Sequence, residues 1–413
     1  MGDIKLAIFL AYKSIFKGNR WALALVVLVM ALSFANLLLT PSIMLGVTDT
    51  LNRQQVETLY GNIVIDPPAE QYFLSRADQM VSIIEQVPGV AGAAVRLDNS
   101  ALIEYEWLEK AASSDKGKSG TWPVIGVDPA REANVTTIPQ RIIEGSYLDA
   151  GDRDSMVIGI GIAGGNGAET AEFQTLQGVR VGDDVRVTYP NGIQREYEVT
   201  GIFHARESRA DRTAFVTRTE MASVMGRTVY SDRASQILIS VNQSDNESSI
   251  IEDISALGFD AQVRSWTEHG KAAGGIISSF EIVAGLIGGI GLVVAGIVMF
   301  IVIYINAIHS RRHIGILRAI GINKNVIVGS YLTQALFYAS TGIILGGLAF
   351  GFGLQSYFQH YPLDLSIGHV SLALQASTVQ NAVIGLIVAA ILAGLVPVLN
   401  ITRQGIIKAI WGN

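Results

Sequence analysis

Four apolar runs constrain this chain more than anything else in it: Trp21–Leu45, Ile282–Ile308, Val326–Phe358 and Val383–Leu399. Each approaches or exceeds the roughly 20 apolar residues needed to cross a bilayer. In lipid every backbone amide must find its partner within the protein, so runs of this composition fold as helices. The charge deficit is confined to them. Only 16% of the 413 residues are charged, against about 25% for a soluble protein, yet residues 47–271 have ordinary globular composition. That stretch is long enough to bury a core of its own. The expected fold class is therefore an α-helical membrane protein with four transmembrane helices plus an α+β extracytoplasmic domain. The first run exceeds the apolar core of a cleaved signal peptide and follows Lys5, Lys13, Lys17 and Arg20, so it reads as an uncleaved anchor.

Charge sets the orientation. Ten cations and one acid lie in the segment before the first run, the loop between the second and third, and the tail after the fourth, whereas residues 47–271 hold 20 Lys and Arg against 33 Asp and Glu. Cationic loops stay cytoplasmic, so both termini are expected inside and the acidic domain outside, in a plasma or inner membrane. The expected division is 1–20, a cytoplasmic interfacial helix; 21–46, the first span; 47–271, the external domain with stalk ends; 272–308, the second span; 309–325, a cytoplasmic loop; 326–358, the third span; 359–378, a short external loop; 379–400, the fourth span; and 401–413, a cytoplasmic tail. In the first segment Ile4, Ala7, Ile8, Ala11 and Ile15 recur at helical spacing beside Lys5, Lys13 and Lys17, as in helices lying on anionic lipid.

Within the external domain, Val47–Tyr60 contains no Pro or Gly and reads as a helical stalk ended by Gly61. Ile63–Asp66, Val90–Trp107, Trp122–Val127, Ser155–Ile160, Asp184–Tyr189, Arg195–Phe203, Gln236–Val241 and Ala261–Val263 read as strands. Ser75–Gln86 and Ser249–Leu257 read as helices, Pro190-Asn191-Gly192 as a hairpin turn and Ser113–Gly120 as a flexible loop. A helix–strand unit on each side of a β-rich insert predicts a split α/β subdomain with a β-rich subdomain inserted into it. The mixed-sign stretch His204–Arg218 reads as a solvated loop.

Catalytic constellations are missing. The chain has no cysteine, no Walker A sequence and no His-Glu-x-x-His pair. Gly159-Ile160-Gly161-Ile162-Ala163-Gly164 matches G-x-G-x-x-G, but loop residues follow where a long helix is required, so a tight surface loop is the better reading. His309 and His313 have metal-ligand spacing on a helix but no third ligand nearby. Glu281 stands at the outer end of the second span, where interfacial solvation accounts for it. No metal, cofactor or nucleic acid is expected on this chain. The spans carry Gly285/Gly289, Gly342/Gly346 and Gly347/Gly351 at G-x-x-x-G spacing, which favours close helix packing. Isolated Asn36, Asn306, Gln334 and Gln355 read as interhelix hydrogen bonds.

The cytoplasmic loop His309–Gly321 combines positive charge with an apolar helical stripe of Ile314, Leu317 and Ile320. With four spans and a large domain after the first, its Arg311-Arg312-His313-Ile314-Gly315-Ile316-Leu317-Arg318-Ala319-Ile320-Gly321 resembles the permease subunits of MacB/FtsX-like ABC transporters. Ala393-Gly394-Leu395-Val396-Pro397 and Ile406–Ile410 resemble the family's tail, with Lys408 in place of its usual acid; His313 likewise stands where the family has Glu. The resemblance implies a mechanotransmitting subunit, paired with a second or sibling permease, coupled to a separate cytoplasmic ATPase that holds ATP and Mg, and exporting or extracting a lipoprotein, lipid, peptide or drug. Arg311–Gly321 would be the coupling helix: Ile314, Leu317 and Ile320 would fill an apolar groove, Arg311, Arg312 and Arg318 would meet acids, and Gly315 and Gly321 would allow close approach. An extracytoplasmic adaptor or substrate protein would be a further partner. The alternatives are an FtsX-like regulator of a cell-wall hydrolase, whose external domain is usually smaller, and an ATPase-independent sensor, which has no need of the apolar stripe.

Overall fold

A computed structural model describes residues 2–17, 20–109, 118–164, 174–242, 246–269, 271–365 and 367–402. Most of the expected loop Ser113–Gly120, the residues Gly165-Asn166-Gly167 and the tail from Arg403, with Lys408, lie outside these, as do the side chains of Glu281 and Arg311. The chain divides into two compact units: 1–49 with 275–365 and 369–413, and 50–274 with 366–368.

The first unit holds helices Gly2–Lys17, Arg20–Gln55 and Lys271–His309 (both of which run partly in the other unit), Arg311–Ala319, Lys324–Leu348 and Ala376–Thr402. Four of its helices are long and apolar enough to cross a membrane. At about 1.5 Å per residue the 36-residue helix Arg20–Gln55 is about 54 Å long, well beyond the ~30 Å hydrocarbon core. The bundle core is built from Met30, Phe34 and Leu38 of span one, Met299 and Ile303 of span two, Ala335 and Tyr338 of span three, and Leu386 and Ala390 of span four.

Lipid supplies little hydrophobic drive between helices, so contact depends on small residues that let backbones approach. Of the glycines expected to pack, Gly342 and Gly346 do so. A Cβ on Gly342 would lie 2.5 Å from Met30 Cβ, and one on Gly346 2.5 Å from the Ala31 carbonyl oxygen. Gly347 has ordinary contact at 3.7 Å, while Gly285, Gly289 and Gly351 meet nothing within 4 Å. Spacing marks a small-residue face but not which neighbour lies on it. Gly394, valued above only for its motif, is a close contact, its Cβ position 3.0 Å from Ala335 Cβ. Gly46 is another: a Cβ there would overlap the Ser371 carbonyl, and Ala373 N donates to the nearby Ser42 carbonyl at 3.2 Å.

The second unit is the split α/β arrangement with an inserted β-rich part. Strands Gln262–Ser265, Ile63–Asp66, Gln236–Val241 and the first half of Val90–Tyr105 lie side by side, every pair antiparallel. Helix Ala77–Ile84 joins the second of these to the fourth, and Glu247–Ala256 joins the third to the first. This is the β-α-β-β-α-β pattern, with Met80, Val81, Ile84, Ile250 and Ile254 packed on the sheet.

The insert closes on itself. The second half of Val90–Tyr105 pairs with Lys118–Val127, which pairs in turn with Ala214–Thr217, Ser155–Gly159, Gln194–Phe203 and Asp184–Thr188; the last returns to pair with Leu102–Tyr105. Closure of six strands removes exposed edges and encloses Leu97, Ile103, Trp122, Val124, Met156, Ile158, Val185, Val187, Tyr197 and Val199. The stretch His204–Arg218 is thereby corrected. It holds the buried strand Ala214–Thr217, and Ala205, Ala210 and Asp211 are also buried. Interleaved arginines hide the short strand from a composition reading.

Arg96 stands where the long strand passes from one sheet to the other, opposite Gln236 on one side and Val127 on the other. Its guanidinium is 3% exposed and meets the fully buried Glu132 in a two-pronged ion pair. Asp128 caps helix Pro129–Val135, which presents Glu132; the Asp128 side chain accepts from Ala130 N at 3.1 Å, with Pro129 in the first turn. Thr136 Oγ1 donates to Glu132 at 2.8 Å, and Arg96 Nη1 donates to the Leu59 carbonyl at 2.7 Å. Burial by itself would lower the Arg96 pKa, but Glu132 holds the guanidinium above its ordinary value.

Two outcomes follow from this packing. Arg96→Ala or Glu132→Ala leaves a buried charge unpaired and should cost about 3–5 kcal/mol, read as a drop in the melting temperature of the purified protein. Gly346→Ala should lower stability by about 1–3 kcal/mol through overpacking, whereas Gly289→Ala should be near neutral in the same measurement.

Candidate functional site

The loop between spans two and three turns on Ser310. Ser310 N donates to the Asn306 carbonyl at 3.0 Å and ends span two; Ile314 N then donates to the Ser310 carbonyl at 2.9 Å and opens helix Arg311–Ala319. Gly321, at φ +95, stops that helix, with its N–H on the Arg318 carbonyl at 3.1 Å. Asn323 restarts the chain as span three, its side chain accepting from Asn325 N at 3.2 Å. A side-chain hydrogen bond between Ser310 and Tyr331 ties the start of the loop helix to span three.

The expected docking stripe is divided by this packing. Ile314 is 4% exposed and belongs to the bundle core, Leu317 packs against the same core, and Gly315 is buried. They root the helix in its own unit, which corrects the expectation that Ile314 and Leu317 face outward. The outward face is Arg312, His313, Ile316, Ala319 and Ile320, with Ile316 45% and Ile320 71% exposed. Arg318 is half-buried and has a partner within the chain. Helical spacing alone identified an apolar stripe. The companion positions Ile316 and Ile320, four apart, were the legible signal for the second, outward one.

The N-terminal helix Gly2–Lys17 packs along span three. Its small side, Ala7 and Ala11, is buried with Ile15, and Ala7 Cβ lies 3.4 Å from the Cβ position of Gly329. Ile4, Ile8, Phe9 and Tyr12 remain exposed. The expected apolar stripe is thus shared, with Ala7, Ala11 and Ile15 toward protein and Ile4 and Ile8 away from it. Ser14 Oγ donates to Gln334 Oε1 at 3.4 Å, so Gln334 makes the interhelix bond expected of it. Between this helix, the loop helix and span three lies a cleft of about 550 Å³ that takes in His309 and His313. Among the described residues no three metal-ligating side chains gather.

In the second unit, the stalk helix ends in a π-helical turn, Val56–Tyr60, and Gly61 turns the chain at φ +63. A Cβ there would meet the Ile239 carbonyl at 2.7 Å. Arg141 grips this turn. Its Nη2 donates to Glu57 at 2.7 Å, its Nη1 to the Ala205 carbonyl at 2.7 Å and its Nε to Thr137 Oγ1 at 2.8 Å. Thr137 N donates to the Glu57 carbonyl at 2.8 Å. Tyr60 packs 5.4 Å from the His269 ring, so the entering and leaving ends of the external unit meet at this residue. Periodicity does not show these contacts, because most of them join residues distant in the chain, Arg141 with Glu57 and Ala205 and Tyr60 with His269.

The G-x-G-x-x-G match leads into a single helical turn, Ile160–Ala163. Cβ atoms on Gly159 and Gly161 would lie 2.2 and 2.8 Å from the Asp211 carbonyl oxygen. The protein's own chain fills the space a phosphate would need.

Residues 285–406 match the FtsX-like permease C-terminal family. No curated protein matches the chain. Two solved structures are similar to it in part. The extracellular domain of the ABC-type transporter YknZ from Gram-positive bacteria is 13% identical, covering 49% of this chain and 97% of that one, with a TM-score of 0.34. The periplasmic region of MacB from Actinobacillus actinomycetemcomitans is 12% identical, covering 55% and 97%, with a TM-score of 0.36.

Asp211 gives the external unit a pH response. Burial pushes its carboxyl up to about 7, against the opposing donation from Ala205 N. The unfolded value is about 3.9, so the stability contributed by the neutral form is complete below about pH 4 and is lost as pH rises through about 7. Asp211→Asn should therefore gain melting temperature relative to the wild type as pH is raised from about 4 to about 7.5, and the gain should level off above that range.

Proposed function

We propose that this chain, whose residues 285–406 match the FtsX-like permease C-terminal family, is the membrane subunit of an ABC transporter whose ATPase is a separate cytoplasmic chain. The energy source lies elsewhere because the sequence has no Walker A loop to cradle a nucleotide. ATP and Mg²⁺ are held by the partner. The two termini and the loop helix are cytoplasmic, as their cations require, and residues 50–274 are external.

One observation carries the reading. Helix Arg311–Ala319 is fixed from behind by Ile314 and Leu317 and offers Ile316 and Ile320 beside Arg312 and His313 in front. An apolar pair beside the Arg312 guanidinium suits an apolar groove with an acidic rim on the ATPase. A helix rooted in the bundle moves with it, so closure of the ATPase acts on spans two and three together. Span one leads by its own chain into the Arg141 and Arg96 contacts at Glu57 and Leu59, which deliver that motion to the external domain. A second permease copy completes the transporter. The external domain acts on a lipoprotein, lipid, peptide or drug, directly or through an adaptor.

The deciding substitution is Ile320→Asp, because this side chain is 71% exposed. Co-expressed with its ATPase, the variant should insert normally and lose about 2 kcal/mol or more of binding, roughly thirtyfold in Kd, with loss of stimulated ATP hydrolysis. Wild-type binding and stimulation in both Ile316→Asp and Ile320→Asp would refute the proposal. Leu317→Asp is the weaker probe, since it also disturbs the bundle.

A further inference from the structure

The cleft between the N-terminal helix, the loop helix and span three is not explained by ATPase docking. One ammonium and two imidazoles line it: Lys13, His309 and His313. Among the described residues no carboxylate does. Its floor is polar and buried, made by Ser330, Tyr331 and Gln334, which are 4%, 6% and 2% exposed. Its walls are apolar, with Phe9, Leu10 and Leu317. At about 550 Å³ it is within the roughly 300–1,000 Å³ of small-molecule sites.

We propose that this cleft binds the phosphate headgroup of an anionic phospholipid, with Lys13, His309 and His313 meeting the phosphate and the Phe9 side receiving the start of an acyl chain. Charge complementarity selects an anion. The exposed Ile4, Ile8 and Phe9 on the same helix, 68%, 52% and 57% exposed, select an amphiphile over a free ion. The Gln334 amide, whose oxygen accepts from Ser14, supplies an N–H donor suited to a phosphate oxygen. The bound lipid bridges the N-terminal helix and the loop helix, and so braces the loop helix from the bilayer side. His313 is shared with the outward face of the loop helix, but Ile316 and Ile320, the pair on which ATPase docking rests, do not line the cleft, so lipid binding is separable from docking.

The test uses the full chain purified in a neutral detergent, with native mass spectrometry reading bound lipid after exposure to phosphatidylglycerol or phosphatidylcholine. Wild type should retain phosphatidylglycerol preferentially. Lys13→Gln should reduce that preference about fivefold, the usual share of one cation near an anionic headgroup, and adding His309→Gln and His313→Gln should abolish it. Lys13→Arg should retain it, and Lys5→Gln, outside the cleft, should leave it unchanged; both also show that the fold tolerates change on this helix. An unaltered preference in the triple variant would overturn the proposal. So would inorganic phosphate binding the cleft as tightly as phosphatidylglycerol while lipid composition has no effect, because the occupant would then be a free anion. Lipid binding is read without ATPase, so failure here leaves the coupling proposal standing.

Discussion

The external unit depends on a charge buried where two sheets share one strand. Arg96 lies on both the split α/β sheet and the closed β-ring, and it is almost wholly buried. A guanidinium in that position is tolerable only with a partner. Helix Pro129–Val135 must therefore bring Glu132 beneath it, and the end of the stalk must bring the Leu59 carbonyl to its remaining edge. Removing any one of these strands the others. The pair joins the shared strand, a short capped helix and the π-helical turn, which Ala94, Val135 and Tyr60 also pack together. Specificity of arrangement is the gain, set against the cost of desolvating both ions.

The membrane unit solves a different problem. Its helices have little hydrophobic reason to prefer one another over lipid, so shape decides. Gly342, Gly346 and Gly394 let backbones approach where larger residues would collide. Ala7 and Ala11 do the same for the N-terminal helix. The loop helix is held by a third means, apolar burial of Ile314 and Leu317 together with the Ser310–Tyr331 hydrogen bond. A helix held this firmly at the back can transmit force from a partner at its front, which a solvated loop cannot do.

Much of this was legible before any coordinates. Ile63–Asp66, Gln236–Val241 and the hairpin at Pro190-Asn191-Gly192 stand where alternation and turn residues put them. Ala214–Thr217 was illegible because its arginine-rich neighbours look solvated, and only strand pairing shows that the run is internal. Helix Pro129–Val135 carried a readable signal, Asp followed by Pro, that the alternating strands around it obscured. The loop helix was legible as a helix with an apolar stripe. Which part of the stripe faced home was not, since periodicity defines a face without naming its neighbour.

The sequence by itself determined the four apolar spans and the uneven charge, because helix formation in lipid and retention of cations are properties of composition and local pattern. It also determined the split of the external domain around its β-rich insert, through turn residues and alternation. Only the tertiary structure decided which glycines touch, that Arg96 is the shared ion, that Ile320 and not Ile314 faces outward, and that Lys13, His309 and His313 line one cleft. Each of those is a contact between residues distant in the chain, and a contact belongs to two surfaces at once.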